Sequence, residues 1–247
     1  MRLLPWEYAI RNLARHRIRL ISSLAGSALV VLLVLAAASF VRGMEKSMTV
    51  EHGNNVIVLG AGSEESLERS EIKPSVPSEI AAAVDGLKTN LGVTYVSPEV
   101  HMASLVREEE GSERTLLTLL RGITPPAFLV HPQVRITEGR APGQNEILAG
   151  KLAGARMGLP DERLAVGKTL WFDGRVWTIS GRFEAPGTVM EAELWVPLRD
   201  LQLAAKRDNL SCVVLTLDGG ADEAADTFED VDAFCKRRLD LELVAMW

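Results

Sequence analysis

The pattern of apolar and polar positions divides the chain at about residue 42. Leu20 to Val41 is an unbroken run of 22 residues with no ionisable group. As a helix it would be about 33 Å long, enough to cross a hydrocarbon core of about 30 Å. A lone strand would leave its backbone polar groups unpaired in lipid, so the run predicts a transmembrane helix over 20–41. Beyond it no comparable run occurs, and shorter periodicities take over.

Asn55–Leu59 reads as a strand. Pro77–Asn90 reads as a helix with Ile80, Val84, Leu87 and Leu91 on one face. Val93–Val106 looks extended but interrupted at Ser97-Pro98. Leu116–Ile123 is the next strand, followed by a turn at Pro125-Pro126. Glu146–Leu148 predicts a short strand running into a helix from Ala149 to about Met157. Lys168–Phe172 and Arg175–Ser180 flank Asp173-Gly174, a dipeptide suited to a type I′ hairpin. Glu193–Val196 and Cys212–Leu217 are further strands, with a helix over Pro197–Lys206 between them. Asp222–Leu239 predicts a helix with Phe228, Val231, Cys235 and Leu239 inward, and Leu241–Met246 a last strand. Interleaved strands and helices of this kind predict a mixed α+β fold over residues 43–247, as one domain or two small subdomains. With 47% hydrophobic residues, disorder is expected only near Gly60–Ser75, where Gly, Ser and Glu concentrate.

Charge orients the span. Residues 1–42 hold six Arg and one Glu, net +5, whereas the remainder holds 21 basic and 32 acidic residues, net −11. The positive-inside tendency therefore predicts a cytoplasmic N-terminus and an extracytoplasmic 43–247. The acidic balance argues against nucleic acid as a partner. Residues 1–19 form a basic amphipathic segment: Trp6, Ala9, Ile10 and Leu13 share one stripe, Arg11, Arg15 and Arg19 another. It suits the cytoplasmic membrane interface, or serves simply as the flank that fixes topology. Ala36-Ala37-Ala38 would pass for a signal-peptide cleavage site, but the run far exceeds a usual signal core of about 7–15 residues. Ser22/Gly26 and Ser23/Ser27 are small-xxx-small pairs that permit close helix contact.

Candidate chemistry changes the picture little. Gly167-Lys168-Thr169 resembles the end of a phosphate loop, but the required first glycine is Glu162, so the tripeptide more plausibly opens the hairpin. No ATP hydrolysis by this chain is expected, nor any cofactor. His16, His52, His101 and His131 are scattered, and none pairs with another ligand at metal spacing. An anchored hydrolase lacks support, since no G-x-S-x-G elbow is present. Glu108-Glu109-Glu110 reads as a solvated turn, and Asn209-Leu210-Ser211 as a formal glycosylation sequon. Cys212 and Cys235 would either pair on an oxidising side or pack as two small buried hydrophobes. No catalytic, cofactor-binding, metal or substrate-binding residue emerges.

The order of features resembles the permease subunit of the macrolide-exporter and lipoprotein-release class of ABC transporters, a family called MacB-like or FtsX-like. Arg11-Asn12-Leu13, Arg15 and Arg19 are similar to the stretch that precedes the family's first membrane helix. Asn55-Val56-Ile57-Val58, Glu146-Ile147-Leu148-Ala149-Gly150 with Leu152-Ala153, and Val166-Gly167-Lys168-Thr169-Leu170 resemble its periplasmic core domain. So do Thr178-Ile179-Ser180-Gly181-Arg182-Phe183 and Leu194-Trp195-Val196-Pro197-Leu198. The resemblance implies a bacterial inner-membrane permease component without catalysis of its own. Implied partners are an ABC ATPase subunit, a second permease copy, membrane lipid, and a periplasmic adaptor or lipoprotein. Such permeases have three more membrane helices after this domain, and the chain ends at Trp247 before any second span, as would a fragment, a subunit whose remaining helices come from another chain, or a single-pass relic with another task. The alternative is a single-pass periplasmic binding or scaffold protein without a transporter.

Overall fold

The computed structural model describes residues 17–48 and 54–247, in two compact units. The basic segment expected over 1–19 lies, as far as residue 16, outside the described residues, as do His16 and His52.

The first unit is helix α1 (Arg17–Met48), whose stretch Leu20–Arg42 has a mean hydropathy of 2.5 and is fully exposed. An apolar surface of that extent is stable only in lipid or against other helices. Ser22 and Ser27 donate their hydroxyls to the carbonyls of Ile18 and Ser23, one turn back. Both hydroxyls are thus satisfied within their own helix.

The second unit is built on a ten-stranded mixed sheet. Its strands are β1 (Asn55–Gly60), β4 (Val96–Val106), β5 (Leu116–Ile123), β6 (Arg135–Gly139), β7 (Glu146–Gly150), β8 (Thr169–Phe172), β9 (Arg175–Glu184), β10 (Glu193–Pro197), β11 (Cys212–Thr216) and β12 (Leu243–Met246). Two-residue strands β2 (Thr89–Asn90) and β3 (Val93–Thr94) form a separate ribbon. The order is β12-β1-β11-β4-β5-β10-β7-β9-β6, with β8 hairpinned onto β9. Two adjacent pairs, β5–β10 and β7–β9, are parallel. The helices are α2 (Val76–Ala83), α3 (Ala127–Val130), α4 (Ala153–Met157), α5 (Leu198–Ala205) and α6 (Ala221–Arg237).

The sheet's two faces are covered unequally. Val56, Val58, Val100, Leu120, Leu194, Val196, Val213 and Leu215 form the main core with Ile80, Met157, Leu201 and Val231 of α2, α4, α5 and α6. The opposite face carries short cover: α3, whose Ala127 packs with Ile123, Leu148 and Trp195 and whose Val130 packs with Leu59, Cys212 and Val214, and the 3-10 turn Val189–Ala192, whose Met190 joins the first of these groups.

Several elements depart from the sequence reading. The helix expected over Pro77–Asn90 ends at Ala83, because Gly86 turns the chain with φ +82° and Leu87 bridges to Leu217. Leu91, expected inward, is the exposed tip of the β2–β3 ribbon. Leu239 is likewise exposed, since α6 stops at Arg237. Pro98 does not interrupt β4: the strand borrows β11 up to Glu99 and β5 from Val100 onward. Ala149 and Gly150 stay in β7 instead of opening a helix. Gly60–Ser75 is ordered: Ser70 Oγ accepts from the Gly60 N–H at 2.8 Å, and Ile72 bridges to Leu210. Strand β6 and helix α3 had no forecast. The Asp173-Gly174 turn has the expected positive φ at both positions, 49° and 69°.

Candidate functional site

Four strands and α3 converge on one charged cluster in the thinly covered face. Alternation along β4 points Ser97, Glu99 and His101 to that side. Arg121 lies opposite His101 on β5, Trp195 opposite Arg121 on β10, and Cys212 opposite Glu99 on β11. Glu193, two residues before Trp195, shares its face, and His131 comes from the cap of α3. Glu99 is 0% exposed, Glu193 3%, Arg121 6%, His131 6% and His101 9%.

Glu99 is saturated. One oxygen accepts from Ser97 Oγ at 3.0 Å and faces His131 Nε2 at 2.8 Å; the other accepts from Arg121 Nη1 at 2.7 Å and faces His101 Nε2 at 3.3 Å. Four partners fill the lone-pair positions of one carboxylate. Arg121 also donates Nε and Nη2 to the two oxygens of Glu193, at 2.7 and 2.9 Å, a bidentate pair. Trp195 Nε1 donates to Glu193 at 2.9 Å, and its ring lies 5.4 Å from the guanidinium carbon of Arg121. Ser211 Oγ accepts from the His101 N–H and donates to the His101 carbonyl, mending the pairing where β4 passes from β11 to β5.

Burial alone would raise the Glu99 carboxyl, yet the charges of His131 and Arg121 and the imidazole hydrogen bonds hold it well below the usual carboxylate range. Glu193 is lowered in the same way, burial being outweighed by Arg121. His101 is lowered by its burial and by Arg121, which favours neutral imidazole. Burial and the neighbouring Glu99 push the Cys212 thiol well above its usual range. The segment over the cluster is less well satisfied, since Thr124 Oγ1, His131 Nδ1 and Gln133 Nε2 are buried without a hydrogen-bond partner.

Scattered histidines are therefore corrected by the fold: His101 and His131 meet on one carboxylate. Ligand atoms of Glu99, His101 and Cys212 all lie within 4.8 Å of one another. A sequence signal existed, in that Glu99, Arg121 and Glu193 each stand alone in an apolar strand. Cys212 and Cys235 are free thiols packed in different apolar clusters. Gly167 begins the β8–β9 hairpin, its N–H donating to the Ile179 carbonyl, with φ +85°.

Further along the same face the cover ends. Leu105 and Leu117, direct cross-strand partners, are 59% and 58% exposed. Beside them Arg107 pairs with Trp171 and lies over its ring, and Trp171 pairs with the exposed Val176.

A family model described as MacB-like periplasmic core domain matches residues 21–230. No curated protein matches the sequence. Among solved structures, the chain is similar to the periplasmic region of MacB from Actinobacillus actinomycetemcomitans, with 11% identity over 79% of this chain and 89% of that one, TM-score 0.56. It is similar to the extracellular domain of the noncanonic ABC-type transporter YknZ from Gram-positive bacteria, with 17% identity over 78% and 100%, TM-score 0.57. It also resembles a domain of a putative permease protein from Porphyromonas gingivalis, with 18% identity over 79% and 89%, TM-score 0.51. At such identities the structures establish a shared fold, and the sequence match establishes the family. The chain belongs to the MacB-like periplasmic core domain family, the periplasmic domain of MacB-like ABC transporter permeases.

Proposed function

We propose that the chain is a non-catalytic, membrane-anchored permease component of an ABC transporter for export or lipoprotein release. The observation that carries this reading is the family match, which begins inside the apolar helix and runs on through the sheet. Residues 20–41 are the anchor. The +5 flank keeps the N-terminus cytoplasmic, near the ATPase subunit and a second permease copy, and 43–247 stands outside. There the domain engages substrate or adaptor, and the exposed Leu105–Leu117 strip beside Arg107 and Trp171 supports a surface for an apolar partner. ATP would be hydrolysed by the partner subunit, and the buried Glu99–Arg121–Glu193 cluster serves to hold the strands of this domain in register.

The test is purification from native membranes through an N-terminal tag, followed by identification of what co-purifies. An ABC ATPase in stoichiometric amount is expected. A lone chain, with export unaffected by its deletion, would overturn the transporter reading and leave a single-pass binding or scaffold protein.

A further inference from the structure

We propose that Glu99, His101 and Cys212 form a binding site for one divalent transition-metal ion of the zinc class. The three donors come from β4 and the start of β11, so the strand register sets their spacing.

Distance is the first argument. His101 Nε2 and Glu99 Oε2 stand 3.3 Å apart, long for a hydrogen bond to a carboxylate. Two ligands each about 2.0 Å from a tetrahedral zinc ion are separated by about 3.3 Å. The ion fits between them with no movement of either strand. Cys212 Sγ lies within 4.8 Å of a Glu99 carboxylate oxygen and of a His101 ring nitrogen, and closes by rotating about its own side-chain bond toward a sulfur–metal distance of about 2.3 Å.

The donor set is the second. Two buried carboxylates, Glu99 and Glu193, share Arg121, and His131 Nε2 stands 2.8 Å from Glu99. His101 offers a ring nitrogen, the donor a metal of this class takes from histidine. A divalent ion displaces the Cys212 thiol proton to solvent, so two carboxylates and a thiolate then face the ion and Arg121. Oxidation states do not change.

Arg121 does not bar the ion. It occupies one lone pair of Glu99 Oε2 and remains anchored by its two bonds to Glu193, and the ion takes the other lone pair by replacing the direct His101–Glu99 contact. The His101 side chain is 11% exposed, against none for Glu99, so ion and exchangeable water enter past His101.

The experiment uses the full chain in detergent, stripped with chelator and titrated with Co2+ alone, then with Zn2+ alone. One Co2+ per chain is expected, with tetrahedral ligand-field bands, a thiolate-to-cobalt charge-transfer band, proton release on binding, and loss of all bands when Zn2+ displaces the cobalt. Cys212→Ser abolishes the charge-transfer band, Cys235→Ser retains it, and His101→Gln weakens binding by about 100-fold or more. Should Cys212→Ser fail to fold, X-ray absorption of the zinc-loaded wild type decides, with one sulfur in the first shell expected. An all-nitrogen-and-oxygen shell, the same spectrum in Cys212→Ser, or no bound ion would overturn the proposal.

Discussion

His131, at the cap of a four-residue helix, sits with Nε2 2.8 Å from Oε1 of Glu99, a carboxylate on β4 with no solvent exposure. This contact ties α3, a cover of one sheet face, to the charge network beneath it. Asn55 adds a second tie, since its side-chain amide donates to the Val130 carbonyl at 2.6 Å and its oxygen accepts from Thr216 Oγ1 at 2.6 Å. The first residue of β1 thus grips the same cover.

Arg121 is the keystone of that network. Replacing it with Met leaves Glu99 and Glu193 buried without their shared counter-charge, and the expected loss is about 3–5 kcal/mol. Thermal unfolding followed by tryptophan fluorescence should show a large drop in midpoint. Replacing Arg121, Glu99 and Glu193 together by apolar residues should cost much less than Arg121→Met alone.

Acid should destabilise the domain in two stages. His101 has a folded value below its ordinary 6.5, so from 6.5 down to that value the unfolded chain takes up a proton that the folded one refuses, and stability falls. His101→Gln should flatten this stage. Glu99 and Glu193 are held below the ordinary 4.5, so their contribution is complete above 4.5 and is lost as pH falls through their folded values. Unfolding midpoints between pH 8 and pH 3 would resolve both stages.

Gly150 marks a close approach of backbones. A Cβ there would stand 2.4 Å from the Glu191 carbonyl oxygen and 2.9 Å from that of Glu193. Gly150→Ala must push β7 off β10 and should cost about 1–3 kcal/mol by denaturant titration. Gly174→Asn, at a left-handed turn position that Asn tolerates and with open space around it, should be nearly silent.

Neither cysteine should react in the folded domain. Burial pushes Cys235 up to about 11 and Cys212 well above its usual range, so thiolate is scarce at neutral pH. A thiol reagent at pH 7.5 should label neither in the metal-free native protein and both after denaturation. Reductant should leave the unfolding midpoint unchanged.

The sequence made the apolar span, the Asp173-Gly174 hairpin and most strands of the sheet legible, because each is a local pattern of hydrophobicity or turn chemistry. Local pattern misled where tertiary pairing decides the outcome. Leu87 continued a helical stripe, but its bridge to Leu217 drew it into extended structure. The exposed β6 shows no apolar alternation and is a strand only because β9 pairs with it. The cluster was illegible for the same reason: His131 lies 32 positions from Glu99, and Glu193 lies 72 from Arg121. Isolated charges in apolar strands were the available signal, and only the register says that they meet.

The permease reading requires the apolar helix to hold the acidic domain outside the cytoplasm. The most direct measurement fuses alkaline phosphatase, and separately green fluorescent protein, after Trp247, and reads both in intact bacterial cells. The account predicts active phosphatase and dark fluorescent protein, both in the membrane fraction. Bright fluorescence with inactive phosphatase would place the domain in the cytoplasm and contradict it.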